Sequence, residues 1–289
     1  MNRPDQCAGE INFHAEDRWI RKCLLIPILL LVSGSFQGAS SQVLESGRVY
    51  HQTDTSRFSL HFFRNKEFTG PLPCLVFFHG WGKITHPEQF YPQCRYFAGR
   101  GLLAVSAEYR VDDKNHFEAV KNALRALNWI AERTNELQID PGKIAVAGGS
   151  GGGWTASCLT TVCTDLHLNG SLQARHIPVL QVLYNPRLTS ARGLDERYSP
   201  LEHLGRDQPP VLIMIGTADR FLEENQQYCR KTKALGNDCQ IILYEGAGHA
   251  FFNYGQFENK YYLQTLLEVD KFLIRQGWLK GEPTIKIEP

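Results

Sequence analysis

The run Ile144-Ala145-Val146-Ala147-Gly148-Gly149-Ser150-Gly151-Gly152-Gly153 constrains the fold more than any other stretch of this chain. Four apolar residues ending at glycines read as a buried β-strand. The glycines allow a sharp turn, after which the chain restarts as a helix. A serine on such a turn projects its hydroxyl above the end of a sheet. Glycine is needed on both sides because the turn imposes strained dihedrals and brings strand and helix close together. A flexible glycine-serine linker would not follow four strand residues. A phosphate-cradling turn would carry a lysine, which is absent here. The pattern G-x-S-x-G has chemical meaning only if the chain also supplies a base, an acid and a set of oxyanion donors.

Beyond residue 42 the chain alternates strand-like and helix-like segments, the signature of a parallel sheet with crossover helices. Phe58 to Phe63 alternates as an edge strand, and Leu75 to Phe78 and Leu102 to Ala107 are continuous apolar runs suited to doubly covered strands. Phe117 to Glu136 carries Val120, Leu124, Leu127, Ile130 and Ala131 at helical spacing. Asp140-Pro141-Gly142 is a turn leading into the strand before Ser150. Val179 to Leu183, Val211 to Ile215 and Ile241 to Tyr244 are further strands. Glu223 to Leu235, which stops at Gly236, and Tyr262 to Ile274 are helices. No repeat, low-complexity segment or linker interrupts this series, so residues 42–289 are expected to form a single domain.

Serine is a weak nucleophile at neutral pH and needs an adjacent base oriented by an acid. Val211 to Ile215 runs into Gly216-Thr217-Ala218-Asp219, which places Asp219 at the carboxyl end of a strand. Ile241 to Tyr244 runs into Glu245-Gly246-Ala247-Gly248-His249, which places His249 on the next such loop. Catalytic groups collect at the carboxyl ends of parallel strands. Glu223 and Glu245 are rival acids, but Glu245 is too close to its own strand end and Glu223 falls in the first turn of a helix. The tetrahedral intermediate of acyl transfer also needs fixed N–H donors. Gly151 can supply one, and the loop His79-Gly80-Trp81-Gly82, directly after the Leu75 to Phe78 strand, can supply others.

Taken in order, His79 to Gly82, Ala107 to Arg110, Ile139 to Ile144, Gly148 to Gly152, Gly216 to Asp219 and Gly248 to Phe251 resemble the acetyl esterase/lipase-type α/β-hydrolases. That group includes the hormone-sensitive-lipase-like esterases and the secreted carbohydrate esterases. The resemblance extends from about Val49 to Gly277. It implies an α/β-hydrolase fold with a mostly parallel central sheet, helices on both faces and a minimal cap. It further implies Ser150 as nucleophile, Asp219 as orienting acid, His249 as base, and the N–H groups of Trp81, Gly82 and Gly151 as the oxyanion hole. Two positions depart from the family pattern. Trp81 replaces the middle glycine of the HGGG loop, so its indole must point away from the oxyanion. Gly151 stands where alanine is commoner, a change expected to loosen only the helix start. The short interval between Ser150 and Asp219 leaves little room for a lid. An open site is therefore expected, with Trp81, Trp154, Tyr184 and Phe252 as aromatic candidates for its rim.

The N-terminus differs from the rest of the chain. Arg18, Arg21 and Lys22 precede the apolar run Leu24 to Val32, and small and polar residues follow to Gln42. This reads as a signal peptide over residues 1–41, or as a retained anchor. The run falls short of the roughly 20 apolar residues that span a bilayer. Secretion or periplasmic export is the expectation, with no membrane partner unless that segment is retained. The mature region keeps Cys74, Cys94, Cys158, Cys163, Cys229 and Cys239. The nearest local pairs are Cys229 with Cys239 and Cys158 with Cys163, while Cys74 suits an inert buried thiol. The 31 basic and 30 acidic residues give no sign of a nucleic-acid partner. No ligand spacing argues for metal, and no cofactor is implied.

The expected activity is hydrolysis of short acyl esters on a small-molecule or polysaccharide-linked substrate, with carbohydrate acetyl or feruloyl esters favoured. A peptidase or arylformamidase, and a non-catalytic binding protein, are the alternatives on the same fold.

Overall fold

The computed structural model describes residues 43–82, 86–111, 116–165, 176–190 and 196–285. The expected export segment, with Cys7 and Cys23, lies outside the described residues. In chain order come β1 (Val43–Gln52), β2 (Arg57–Asn65), β3 (Leu72–Phe78), α1 (Tyr91–Gly99), β4 (Leu103–Ala107), α2 (Phe117–Ala131), α3 (Thr134–Leu137) and β5 (Ile139–Gly149). They are followed by α4 (Gly151–Thr160), α5 (Val162–Asp165), β6 (Gln181–Tyr184), β7 (Val211–Gly216), α6 (Leu222–Ala234), β8 (Cys239–Tyr244) and α7 (Lys260–Arg275).

The strands form one sheet in the order β1-β2-β4-β3-β5-β6-β7-β8. β1 and β2 run antiparallel to their neighbours, and every pairing from β4 to β8 is parallel. Side chains alternate faces along each strand, and both faces are apolar. Val76, Phe78, Val105, Val146, Leu183 and Ile213 pack with residues of α2, α4 and α6. Leu75, Phe77, Ala147, Val182, Leu212 and Met214 pack with residues of α1 and α7. Such two-sided burial explains why these strands read as continuous apolar runs. The register pairs Phe78 with both Ala107 and Gly148, and Gly149 with Tyr184. The loops after β3, β5 and β6 therefore leave the sheet at one level, and those after β7 and β8 follow along the same edge.

Several local expectations need correction. The Phe58 to Phe63 segment is interior, because β1 pairs along its length and takes the edge. β1 is mostly exposed, with no apolar alternation to reveal it. The helix expected over 117–136 breaks after Ala131, and a short α3 ends at Gln138 in a left-handed conformation, φ 53°. Asp140-Pro141-Gly142 forms an irregularity inside β5. There the pairing jumps from Leu72–Ile139 to Cys74–Ile144, and Asp140 Oδ1 accepts the Gly142 N–H at 2.9 Å. Helix α1 was not anticipated; its Pro92 is tolerated because it lies in the first turn. Of the two nearest cysteine pairs only Cys229–Cys239 is a disulfide, tying α6 to β8. Cys158 and Cys163 remain separate buried thiols, as do Cys74 and Cys94. Between β6 and β7 the described residues hold only a 3-10 turn, Glu196–Tyr198, and no cap domain.

Candidate active site

Ser150 sits between β5 and α4 with φ 55° and ψ −119°, a conformation that costs a non-glycine residue about 1–3 kcal/mol. Backbone bonds hold it there. Its N–H donates to the Tyr184 carbonyl at 3.0 Å, and its own carbonyl accepts the N–H groups of Trp154 at 3.1 Å and Arg187 at 3.2 Å. The flanking glycines answer to close approach. A Cβ on Gly152 would lie 2.2 Å from the carbonyl oxygens of Phe78 and His79, and one on Gly148 would lie 2.3 Å from the Gly152 carbonyl. Any side chain at either position would push α4 off the ends of β3 and β5.

Asp219 follows β7 and His249 follows β8, and the structure brings both to Ser150. His249 Nε2 lies 2.8 Å from Ser150 Oγ, and His249 Nδ1 lies 2.8 Å from Asp219 Oδ2. The Asp219 side chain is fully buried, and its Oδ1 accepts the Phe221 N–H at 3.0 Å. A buried carboxylate can only accept, so it selects the tautomer with the proton on Nδ1. Nε2 is then the acceptor for the serine hydroxyl. The rival acids take no part: Glu223 is an exposed partner of Arg230 at 2.8 Å, and Glu245 is exposed.

The loop His79 to Gly82 lies against the start of α4. A Cβ on Gly80 would come within 3.7 Å of Ser150 Cβ. The Gly80 N–H donates to Gln89 Oε1 at 2.8 Å, and Gln89 Nε2 donates to Asn253 Oδ1 at 2.9 Å. Tyr109 donates its hydroxyl to the His79 carbonyl and stacks on the His79 ring at 4.3 Å. Burial pushes the His79 imidazole below its ordinary pKa, favouring the neutral ring. Trp81 turns its indole onto His116 at 4.5 Å and edge-on to Trp154 at 5.1 Å. It also covers Gly151, where an added Cβ would lie 2.2 Å from Trp81 Cδ2. The two departures from the family pattern are thus one steric arrangement: the indole occupies the space an alanine methyl would need. Gly151 therefore does more than loosen the helix start.

Three residues expected at the rim are not there. Trp154, Tyr184 and Phe252 are fully buried. Trp154 packs in the core below α4, while Tyr184 and Phe252 pack on each other and on Phe90 behind the elbow. The Phe252 ring tip stands where a Gly149 side chain would be. These aromatics support β5 and the turn at Ser150 from behind. Trp81 alone of the four is partly exposed.

Sequence reasoning also missed two neighbours of His249. Asn185 directly follows β6 with φ 34°, is fully buried, and brings Nδ2 to 3.3 and 3.4 Å from the two His249 ring nitrogens. Phe221 meets the same ring edge-on at 5.3 Å. The signal for Asn185 was available, since it is a polar residue directly after a buried strand, as Asp219 is.

A cleft of about 360 Å³ opens beside the loop, lined in part by Phe58, Gly82, His86, Glu88 and Tyr109. A groove of about 470 Å³ between β8 and α7 shares no residue with the serine site. Among the described residues no cluster of three or more His, Cys, Asp or Glu could hold a metal ion.

Comparison with known proteins gives the family. The BD-FAE family model matches residues 60–181, and that of the α/β hydrolase fold matches residues 188–253. Esterase 2 of Thermogutta terrifontis, solved with propionate bound, is 32% identical, with a TM-score of 0.75 over 82% of this chain and 96% of its own. The chain belongs to the α/β-hydrolase esterases. Among curated proteins it is 32% identical to esterase LipI of Mycobacterium tuberculosis over 63% of this chain and 66% of that protein. It is 24% identical to an ethyl acetate hydrolase of Pseudomonas putida, again over 63% and 66%. The matches thus span just under two thirds of these two curated relatives.

Proposed function

We propose that the protein is a secreted serine esterase that cleaves short acyl esters, with carbohydrate-linked acetyl or feruloyl esters as the substrate class. One observation carries the reading: the continuous chain from Asp219 Oδ2 through both His249 nitrogens to Ser150 Oγ, each link 2.8 Å. Ser150 Oγ attacks the ester carbonyl carbon as its proton passes to His249 Nε2. The resulting imidazolium is stabilised by the buried Asp219 carboxylate. Charge on the former carbonyl oxygen is met by the N–H groups of Trp81, Gly82 and Gly151. The first N–H groups of a helix have no intrahelical partner, which suits Gly151 to this role. The C–O bond to the alcohol breaks as His249 returns the proton to it. Water, deprotonated by His249, then releases the acid and restores Ser150.

The short-acyl assignment is supported by the filled space behind the elbow, where Tyr184 and Phe252 leave no room for a long chain. Thermogutta esterase 2, solved with propionate and with butyrate, points the same way. The carbohydrate assignment is supported by the cleft beside Gly82, which offers Glu88 and His86 to hydroxyl groups and Phe58 to a sugar ring. Export is supported by the basic, apolar and small-residue order of residues 18–42.

The test is a panel of p-nitrophenyl acetate, acetylated and feruloylated oligosaccharides, and matched amides. Turnover of the esters, lost in Ser150→Ala, is expected. Faster turnover of the amides would move the assignment to a peptidase or arylformamidase.

A further inference from the structure

Arg187 and Arg220 both leave the carboxyl edge of the sheet beside the serine site. Arg187 follows Asn185-Pro186 at the end of β6, and its backbone N–H is bonded to the Ser150 carbonyl at 3.2 Å. Arg220 follows Asp219. The two guanidinium carbons lie over the Phe221 ring at 5.3 and 4.7 Å, and that ring packs edge-on against His249 at 5.3 Å. Neither guanidinium forms a salt bridge or hydrogen bond with any described residue, although Arg187 is only partly exposed and its Nε is buried without a partner.

Such an arrangement calls for an explanation. A partly buried guanidinium is normally paired, and ring contact satisfies none of its N–H donors in the plane. Burial lowers the Arg187 pKa; the Glu224 charge opposes that shift, and Arg220 adds a smaller lowering. Glu224 is already engaged: its two oxygens accept the Leu188 N–H at 2.7 Å and the Thr189 hydroxyl at 2.5 Å. Glu223, in the same first turn of α6, is directed to Arg230. Glu224 keeps its charge but commits both oxygens to neutral donors, so the two cations stand at the edge where ligands collect with no described carboxylate in direct contact with their N–H groups.

We propose that Arg187 and Arg220 form an anion-recognising subsite that selects esters carrying a carboxylate group near the scissile bond. This rests on the serine-esterase reading of Ser150 and deepens it, because it names a substrate feature that the triad does not require. Arg187 is the main determinant, being held against the elbow with its Nε in the interior. Arg220, more exposed, strengthens the local field. The carboxylate can sit on the acyl side or on the alcohol side of the ester, and matched substrates separate these cases.

The experiment compares kcat/KM within two pairs of esters, after subtraction of uncatalysed hydrolysis. For the acyl side the pair is p-nitrophenyl hemisuccinate and p-nitrophenyl pentanoate. For the alcohol side it is 4-acetoxybenzoate and 4-acetoxybenzamide. In at least one pair the anionic member should be favoured about tenfold or more, the scale of one charge-assisted contact. That ratio should fall about tenfold in Arg187→Gln, fall less in Arg220→Gln, and shrink with added salt. The neutral member of each pair reports whether a variant is folded. If Arg187→Gln does not fold, the exposed Arg220→Gln carries the comparison. Turnover of the neutral esters with no anionic preference in either pair, or a preference untouched in the arginine variants, would overturn the subsite alone. Failure to hydrolyse any ester would overturn the serine-esterase reading as well.

Discussion

On the β6 to β8 side of Ser150 the site is held by directed hydrogen bonds between polar side chains: Ser150 to His249, His249 to Asp219, and Asp219 to the Phe221 N–H. On the β3 side steric fit is added to hydrogen bonds between side chains and the loop backbone, from the Gly80 N–H to Gln89 and from the Tyr109 hydroxyl to the His79 carbonyl. There the loop His79 to Gly82 is fixed by the Trp81 indole lying where a Gly151 side chain would stand, and by Tyr109 stacked on His79. The first side depends on donor and acceptor chemistry between side chains. The second depends on close fit as well, since its exposed groups are backbone N–H groups whose position follows the loop.

Substitutions can separate these two kinds of construction. Asp219→Asn keeps the size of the side chain but no longer selects the tautomer that leaves Nε2 free to accept. Ester hydrolysis should fall by about 10⁴-fold with little change in thermal unfolding. Loss of less than tenfold would mean that packing alone orients His249. Gly151→Ala leaves every polar group in place but drives a methyl into Trp81. Hydrolysis should fall by about 100-fold, because loop displacement on the order of 1 Å suffices. Combining it with Trp81→Gly removes the obstruction, so the double variant should outperform Gly151→Ala alone. Additive losses in that cycle would show that the two residues do not share one space.

Smaller effects concern stability. Opening Cys229–Cys239 by substitution of both cysteines to serine should destabilise the protein by about 2–3 kcal/mol, given a sequence separation of 10. Thermal unfolding reads this as a drop of several degrees. Ser150→Gly relieves the left-handed strain that Ser150→Ala retains. Of these two inactive variants, the glycine one should be more stable by about 1 kcal/mol. Equal unfolding temperatures would indicate that the elbow stores no strain.

The same contrast explains how much could be read in advance. Ser150, Asp219 and His249 were legible because each is a chemically distinctive residue at the end of an apolar run, and strand ends are visible in sequence. The central strands were legible because burial on both faces makes them continuous apolar runs. β1 was not, since its edge position leaves it polar and exposed. Trp154, Tyr184 and Phe252 were misplaced because an aromatic side chain near an elbow looks the same whether it faces the opening or the core. The bond between the Trp81 and Gly151 departures was invisible because it is a relation between two shapes, while each residue taken singly has an innocuous reading. Asn185 and Arg187 passed unnoticed for another reason: they follow a short strand, β6, whose end was placed one residue early.

Covalent labelling of the nucleophile tests the assembled site without assuming a natural substrate. The protein should react with a fluorophosphonate, an electrophile that an activated serine hydroxyl attacks. Intact-mass analysis should show one adduct, peptide mapping should place it on Ser150, and Ser150→Ala and His249→Ala should both suppress it. A folded protein that takes no label, or that takes it equally in Ser150→Ala, would contradict an activated serine at this elbow.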